Sequence, residues 1–113
     1  MGLKDEVRQV NHKLIEDPRG EIDLIDSELL SLLNDRAEVV LRVGAMKTIY
    51  RLPLGDAVRE RSILRRLGRE NRGPFDEEAI ANIFQKIIEE SRRLQKRTYS
   101  DPSQGDEPVT NGE

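Results

Sequence analysis

The sequence predicts an all-α fold, a three-helix protomer with one very long N-terminal helix that pairs with a second copy in a helical homodimer. Apolar residues recur at helical spacing in three segments, and proline and glycine cluster between these segments. The 113 residues are 36% charged and 35% hydrophobic, with two Phe, two Tyr and no Trp. A single domain with so little large apolar material is expected to complete its core against another copy.

The first helix is predicted to start at Asp17 and Pro18. Asp caps free backbone amides, and Pro is tolerated in a first turn because its missing N–H is not needed there. Residues 19–50 contain no proline and keep the helical period, which predicts a rod on the order of 45–50 Å long. Two glycines weaken this helix locally without ending it, Gly20 and Gly44. Residues 1–16 are an N-terminal extension, predicted as a short helical lead-in.

The second helix follows a break at residues 52–55, where the chain reads Leu-Pro-Leu-Gly. Asp56 is placed to cap it, and the pattern continues to about Glu70. Its predicted inward side chains are Val58, Ile63, Leu64 and Leu67.

The third helix follows a turn signal at residues 71–74, Asn-Arg-Gly-Pro. Asp76 is predicted to cap it, and it runs to about Arg97. Residues 98–113 hold almost nothing apolar and fit either a disordered tail or a linker to a further domain. The helical domain is therefore predicted over residues 17–97.

Composition excludes several classes of function. The net charge of −3 gives no basic field for nucleic acid, and no apolar run is long enough for a membrane span or a signal peptide. The absence of Cys excludes a thiolate metal site and a Cys nucleophile, and the single His12 argues against a His-based metal cluster or triad. The cytoplasm is the predicted location. One basic run is predicted to be solvated, namely Arg92, Arg93, Lys96 and Arg97.

Polar groups interrupt the predicted apolar faces. Arg36 and Lys47 lie on the face of the first helix, and Ser91 and Gln95 continue the face of the third. Because a buried cation is costly without an anion, these groups indicate a small anionic ligand held between helices. The apolar members of the first face are Ile22, Ile25, Leu29, Leu32, Leu33, Val40 and Val43.

Helix geometry constrains how the cations can meet one ligand. Arg36 and Lys47 are eleven residues apart, which is only about 20° from whole turns and about 16 Å along the helix. Both side chains can therefore lean onto one small dianion. Arg19 lies about 25 Å before Arg36 and is rotated by about 100°. If Arg19 binds that ligand, it must come from a second, antiparallel chain, which indicates a dimer with shared sites.

The second and third helices offer further ligand groups. Arg59 can supply another cation, and Glu60 can accept a hydrogen bond from a ligand hydroxyl. Ser91 and Gln95 share one helical face at i and i+4 and can donate to ligand oxygens. The alternative for Ser91 is a hydrogen bond back to its own helix.

Five segments in order resemble the all-helical chorismate mutases, intertwined dimers of the shikimate pathway. The matching segments are Arg19-Gly-Glu-Ile-Asp-Leu-Ile-Asp26, Leu29-Leu-Ser-Leu-Leu-Asn-Asp-Arg36, Val43-Gly-Ala-Met-Lys47, Asp56-Ala-Val-Arg-Glu60 and Ile87-Ile-Glu-Glu-Ser91 with Gln95. The resemblance covers about residues 17–97. Each motif alone is short, but their joint order and spacing are specific.

The resemblance implies the Claisen rearrangement of chorismate to prephenate, a step in phenylalanine and tyrosine biosynthesis that needs no nucleophile, metal or cofactor. It assigns catalytic roles to four residues. Lys47 and Gln95 donate to the ether oxygen, Arg36 grips a carboxylate, and Glu60 holds the ring hydroxyl.

The resemblance also implies substrate-binding residues. Arg19 of the partner subunit grips the second carboxylate beside Arg36. Ser91 and Arg59 support carboxylate binding, and Asp56 contributes near the hydroxyl.

Two other functions stay open for this fold. Isochorismate pyruvate lyases share it, although the Asp56-x-x-Arg59-Glu60 pattern resembles the mutases and is not kept in the lyases. A non-catalytic regulatory or docking domain of another shikimate-pathway enzyme would use the same site to bind chorismate or prephenate, with the polar tail as its linker.

Overall fold

The computed structural model describes the backbone of residues 3–99 and the side chains of residues 16–99. Three helices follow one another, α1 at Leu3–Ile49, α2 at Ala57–Glu70 and α3 at Glu77–Thr98. No strand occurs between residues 3 and 99, and the all-α prediction is confirmed. No helix in this part of the chain is long and apolar enough to cross a bilayer. The predicted tail lies almost wholly outside the described residues.

The predicted start of the first helix is wrong. Helix α1 has 47 residues, begins at Leu3 and contains Pro18 in its interior. Proline removes one backbone hydrogen bond and crowds the preceding turn, but its effect is local. Residues 3–16 have strong helix formers such as Glu6 and Leu14, and they continue without a break into the helix that follows. The Asp-Pro signal was therefore misread as a boundary.

The first of two compact units ends at Arg36 and contains most of α1. Its apolar face is uncovered in the isolated chain. Five large aliphatic side chains of this face are between 43% and 63% exposed. They are Ile22, Ile25, Leu29, Leu32 and Leu33.

The second unit begins at Ala37, and here α2 packs against α3. Its core is small and contains Leu54, Ile63, Ile88 and the polar Gln95. Of the side chains predicted to point inward from α2, Ile63 is buried, and Leu64 and Leu67 are half-buried.

Val58 was predicted to point inward, and this prediction is wrong. Its side chain is 66% exposed. It lies five residues before the buried Ile63, which places the two side chains about 140° apart around the helix. The face that α2 turns towards α3 is therefore narrower than the sequence pattern suggested.

The helix boundaries of the second unit follow the predicted caps. The Asp56 carboxylate accepts a hydrogen bond from the backbone N–H of Arg59 at 2.9 Å. The Asp76 carboxylate accepts from the N–H of Ala79 at 2.8 Å. In both cases the side chain satisfies an amide that the first helical turn leaves unpaired. Between these helices, Gly73 adopts a φ of 78°, a region that favours glycine.

Candidate active site

Lys47 lies in the last turn of α1 and is held by the loop that follows. Its Nζ donates a hydrogen bond to the backbone carbonyl of Leu54 at 3.2 Å. Leu54 is 3% exposed, so the loop is anchored by a buried side chain next to this carbonyl. An ammonium group has three N–H donors, and one hydrogen bond to the loop leaves others for a ligand.

Gln95 is the polar member of the small core. Its Nε2 donates to the backbone carbonyl of Val40 at 2.8 Å, which ties α3 to α1. Val40 and Lys47 are seven residues apart, which is about two helical turns, so they share one face of α1. Gln95 therefore contacts the face of α1 that also carries Lys47, and their predicted meeting at one ligand stays a prediction.

Gly44 lies between Val40 and Lys47 on α1, and the sequence analysis did not include it among the site residues. A Cβ added there would come within 2.9 Å of the Tyr99 ring and 3.4 Å of the Gln95 Cγ. The missing side chain therefore allows the end of α3 to approach α1. A signal existed in the sequence, because glycine in a helix interior costs about 0.5–1 kcal/mol relative to alanine and usually has a packing reason.

Glu60 and Arg92 form an ion pair between α2 and α3. The Arg92 Nη2 donates to the Glu60 Oε1, and the two side chains are 35% and 21% exposed respectively. The prediction that Arg92 belongs to a solvated run is therefore wrong. Its position one residue after Ser91 and three before Gln95 could have indicated a role near the site.

The remaining predicted residues of the second unit have local partners. Ser91 is half-buried, and its Oγ donates to the Ile87 carbonyl of its own helix at 2.8 Å, as the alternative reading predicted. Asp56 acts as the cap of α2. Arg59 is exposed in the turn that Asp56 caps.

Arg19 and Arg36 belong to the first unit. Arg19 is exposed and pairs with Glu16 at 3.6 Å, three residues away on the same helix. Arg36 is half-buried. Their predicted binding of two ligand carboxylates stays a prediction.

Among the described residues there is no group of three or more His, Cys, Asp or Glu side chains that could hold a metal ion.

The family comparison matches residues 18–96 to the family described as Chorismate mutase type II. The chain belongs to this family. The match covers all three helices except the beginning of α1 and the end of α3, and it contains every predicted site residue. The resemblance drawn from the sequence motifs is confirmed.

Curated relatives of the chorismate mutase family include both bifunctional and free-standing proteins. The bifunctional chorismate mutase/prephenate dehydratase of Aquifex aeolicus is 40% identical over 83 residues, which cover 70% of this chain and 23% of that protein. The chorismate mutase of Methanocaldococcus jannaschii is 34% identical over 82 residues, covering 70% of this chain and 81% of that protein. The chain thus matches less than a quarter of the bifunctional relatives' length.

Solved chorismate mutase structures share the fold. A structure from Thermus thermophilus is 37% identical with a TM-score of 0.73, covering 77% of this chain and 97% of that one. A structure from Helicobacter pylori in complex with prephenate is 30% identical with a TM-score of 0.70, covering 75% and 92%.

Proposed function

We propose that this chain acts as a chorismate mutase and converts chorismate to prephenate. The observation that carries the proposal is the placement of Gln95, buried against α1 on the face from which Lys47 extends. Two N–H donors at one face of a helix suit an oxygen that gains negative charge. Family membership and the prephenate complex of the Helicobacter pylori relative support the same substrate class.

The reaction needs orientation and electrostatic stabilisation rather than a nucleophile. As the ether C–O bond breaks and the new C–C bond forms within one molecule, negative charge grows on the ether oxygen. Lys47 and Gln95 donate to that oxygen, and this favours the transition state because its charge there is larger than in the ground state. Both side chains can do so while keeping their hydrogen bonds to Leu54 and Val40, because each nitrogen has a further N–H.

The other predicted residues fold and hold the substrate. Arg36 and Arg19 of the partner subunit grip its two carboxylates, which enforces the compact reactive conformer. Arg59 and Ser91 support carboxylate binding. Glu60 accepts a hydrogen bond from the ring hydroxyl, and Asp56 contributes near it while capping α2.

The homodimer is part of this proposal. The exposed face of the first unit consists of large aliphatic side chains, and covering it requires an apolar surface of matching length. A second copy provides one and brings Arg19 of the partner subunit to the site.

The predicted cytoplasmic location and the boundaries of the domain at residues 17 and 97 stay predictions from the sequence.

A direct assay tests the proposed activity. Purified chain is mixed with chorismate, and the loss of the diene absorbance is followed together with the appearance of prephenate. Parallel incubation with isochorismate tests for pyruvate and salicylate, the products expected of a lyase. Binding of a bicyclic transition-state mimic without turnover would favour the docking domain, and neither binding nor turnover would contradict the proposal.

Replacement of Lys47 tests the assignment of the donor at the ether oxygen. We expect Lys47→Ala to lower kcat by about 10²–10³-fold, the usual effect of removing one such donor, with a smaller change in KM. The matched control is Lys86→Ala, since Lys86 is exposed on α3 and pairs with Glu90. Circular dichroism should show unchanged helix content in both variants. A larger effect on KM than on kcat would contradict the role of Lys47 in the transition state.

A further inference from the structure

The ion pair of Glu60 and Arg92 differs from the other ion pairs described in this chain. It joins α2 to α3 across 32 positions of sequence. Four other pairs join residues three or four apart on one helix, and in each of them both side chains are 47% or more exposed. A surface pair within one helix is strongly screened by water. The pair between α2 and α3 is less exposed and links two packed elements, so it fixes the position of both side chains more firmly.

The geometry leaves half of the carboxylate available. Arg92 occupies only the Oε1 of Glu60. Within the described part of the chain, the other oxygen, Oε2, accepts no protein hydrogen bond. An ionised carboxylate can accept hydrogen bonds at both oxygens, and a planar guanidinium restricts the rotation of the carboxylate it holds. Glu60 is therefore held at one oxygen and open at the other.

We propose that Arg92 is a positioning residue, which holds the Oε1 of Glu60 so that Oε2 accepts the hydrogen bond of the substrate's ring hydroxyl. The inference deepens the proposed function and rests on it. Arg92 acts through Glu60 and does not touch the substrate. Its contribution is to order the glutamate before the substrate binds, which lowers the entropic cost of binding.

This role predicts a particular kinetic signature. The ring hydroxyl takes no part in bond breaking, so its hydrogen bond to Glu60 is equally strong in the bound substrate and in the transition state. Loss of such uniform binding raises KM and leaves kcat nearly unchanged. We expect Arg92→Ala to raise KM by about 5- to 20-fold with kcat within about twofold of the original value. Lys47→Ala is expected to show the opposite pattern, which separates the two roles within one assay.

The matched control is Arg93→Ala. Arg93 is the next residue on α3, is 69% exposed and pairs with Glu90 on its own helix. Its removal deletes the same charge from the chain and should leave both KM and kcat unchanged. Arg92→Lys should recover part of the lost affinity, because a lysine keeps the charge but not the planar, two-pronged geometry.

A double-mutant cycle distinguishes action through Glu60 from direct contact with the substrate. If Arg92 acts through Glu60, adding Arg92→Ala to Glu60→Ala should cost no further affinity. An equal additional loss in that background would show that Arg92 contacts the substrate itself and would overturn the proposal. An unchanged KM in Arg92→Ala would overturn it as well.

Separate controls distinguish a variant that fails to fold from one that folds but binds the substrate less tightly. Thermal unfolding identifies a variant that fails to fold. In that case Glu60→Gln, Arg92→Gln and the double variant Glu60→Gln/Arg92→Gln repeat the cycle with side chains of similar size. An active wild-type chain with unchanged Arg92 variants contradicts only the positioning role. A wild-type chain that turns over no chorismate contradicts the proposed function and this inference together.

Discussion

The two units of this chain differ in how far each buries its own apolar side chains. From Ala37 onward, α2 and α3 bury Leu54, Ile63 and Ile88 in a small core. In the first unit, the large aliphatic side chains of the apolar face between residues 22 and 33 are exposed. Apolar area removed from water stabilises a fold by about 25 cal/mol per Å², so the buried side chains of the second unit stabilise it more than the exposed face of residues 22–33 stabilises the first. The second unit therefore has a small core of its own, whereas the described apolar face of the first unit stays exposed.

The same contrast holds for the polar residues of the site. In the second unit, Lys47, Glu60 and Gln95 are each held by a partner from a different segment. In the first unit, Arg19 pairs only three residues away on an exposed helix surface. Three residues of the proposed site are therefore held by contacts between segments of this chain, whereas Arg19 has its described contact within one helix.

The largest expected effect comes from charging the uncovered face. Ile25→Glu/Leu29→Glu places two carboxylates one turn apart on this face. Losing two buried aliphatic side chains from each of two copies costs about 6–12 kcal/mol of dimer stability, taking about 1.5–3 kcal/mol for each side chain. We expect a monomer by sedimentation and the loss of nearly all turnover.

The control for that variant uses the opposite side of the same helix. Ser27 is exposed and lies nearly opposite the apolar face, so Ser27→Glu should keep both the dimer and the activity. A fully active monomer from the double glutamate variant would contradict both the dimer and the shared site.

A second prediction compares one glycine from each unit. An added Cβ at Gly20 meets nothing within 4 Å, whereas at Gly44 it meets the Tyr99 ring at 2.9 Å. Gly20→Ala should therefore raise the free energy of unfolding by about 0.5–1 kcal/mol through helix propensity. The free energy of unfolding of Gly44→Ala should be about 1–3 kcal/mol lower than that of Gly20→Ala, since overpacking displaces Tyr99 and disturbs the neighbouring Gln95.

The Gly44 contact can be isolated by removing its partner. In a Tyr99→Ala background, Gly44→Ala should lose most of its penalty, because the two ring atoms that the new methyl group meets most closely are gone. Chemical denaturation measures all four variants. Equal stability changes for Gly20→Ala and Gly44→Ala would show that α3 does not need the close approach to α1.

The sequence predicted what depends on local chemistry. The starts of α2 and α3 follow from the side chains of Asp56 and Asp76, which accept hydrogen bonds from amides three residues further along the chain. Gln95 was identified because a polar residue on an apolar face requires a partner.

The errors concern interactions that the local pattern does not contain. The start of α1 was misplaced because Asp17 and Pro18 resemble a cap even where the helix continues through them. Arg92 was misread because its partner lies 32 positions away on another helix. Gly44 has no side chain to show that Tyr99 packs against it.

The smallest expected effect on stability comes from the exposed ion pair of Glu90 and Arg93 in the second unit. Its contribution can be compared with that of the less exposed pair of Glu60 and Arg92. A hydrogen bond from Arg93 lowers the pKa of the Glu90 carboxyl, opposed by desolvation and aided by the charges of Arg93 and Lys86. A carboxyl whose pKa is lower in the folded state contributes stability above its unfolded pKa and loses it as the pH falls through the folded value.

Glu90→Gln should therefore lower the unfolding temperature slightly at neutral pH. The difference from the wild-type chain should vanish in acid, once the carboxyl is protonated in both the folded and the unfolded state. It should also shrink at 1 M salt, where the screening length is about 3 Å. Thermal unfolding at two pH values and two salt concentrations measures this. A difference that persists in acid would show that Glu90 stabilises the helix by packing rather than by charge.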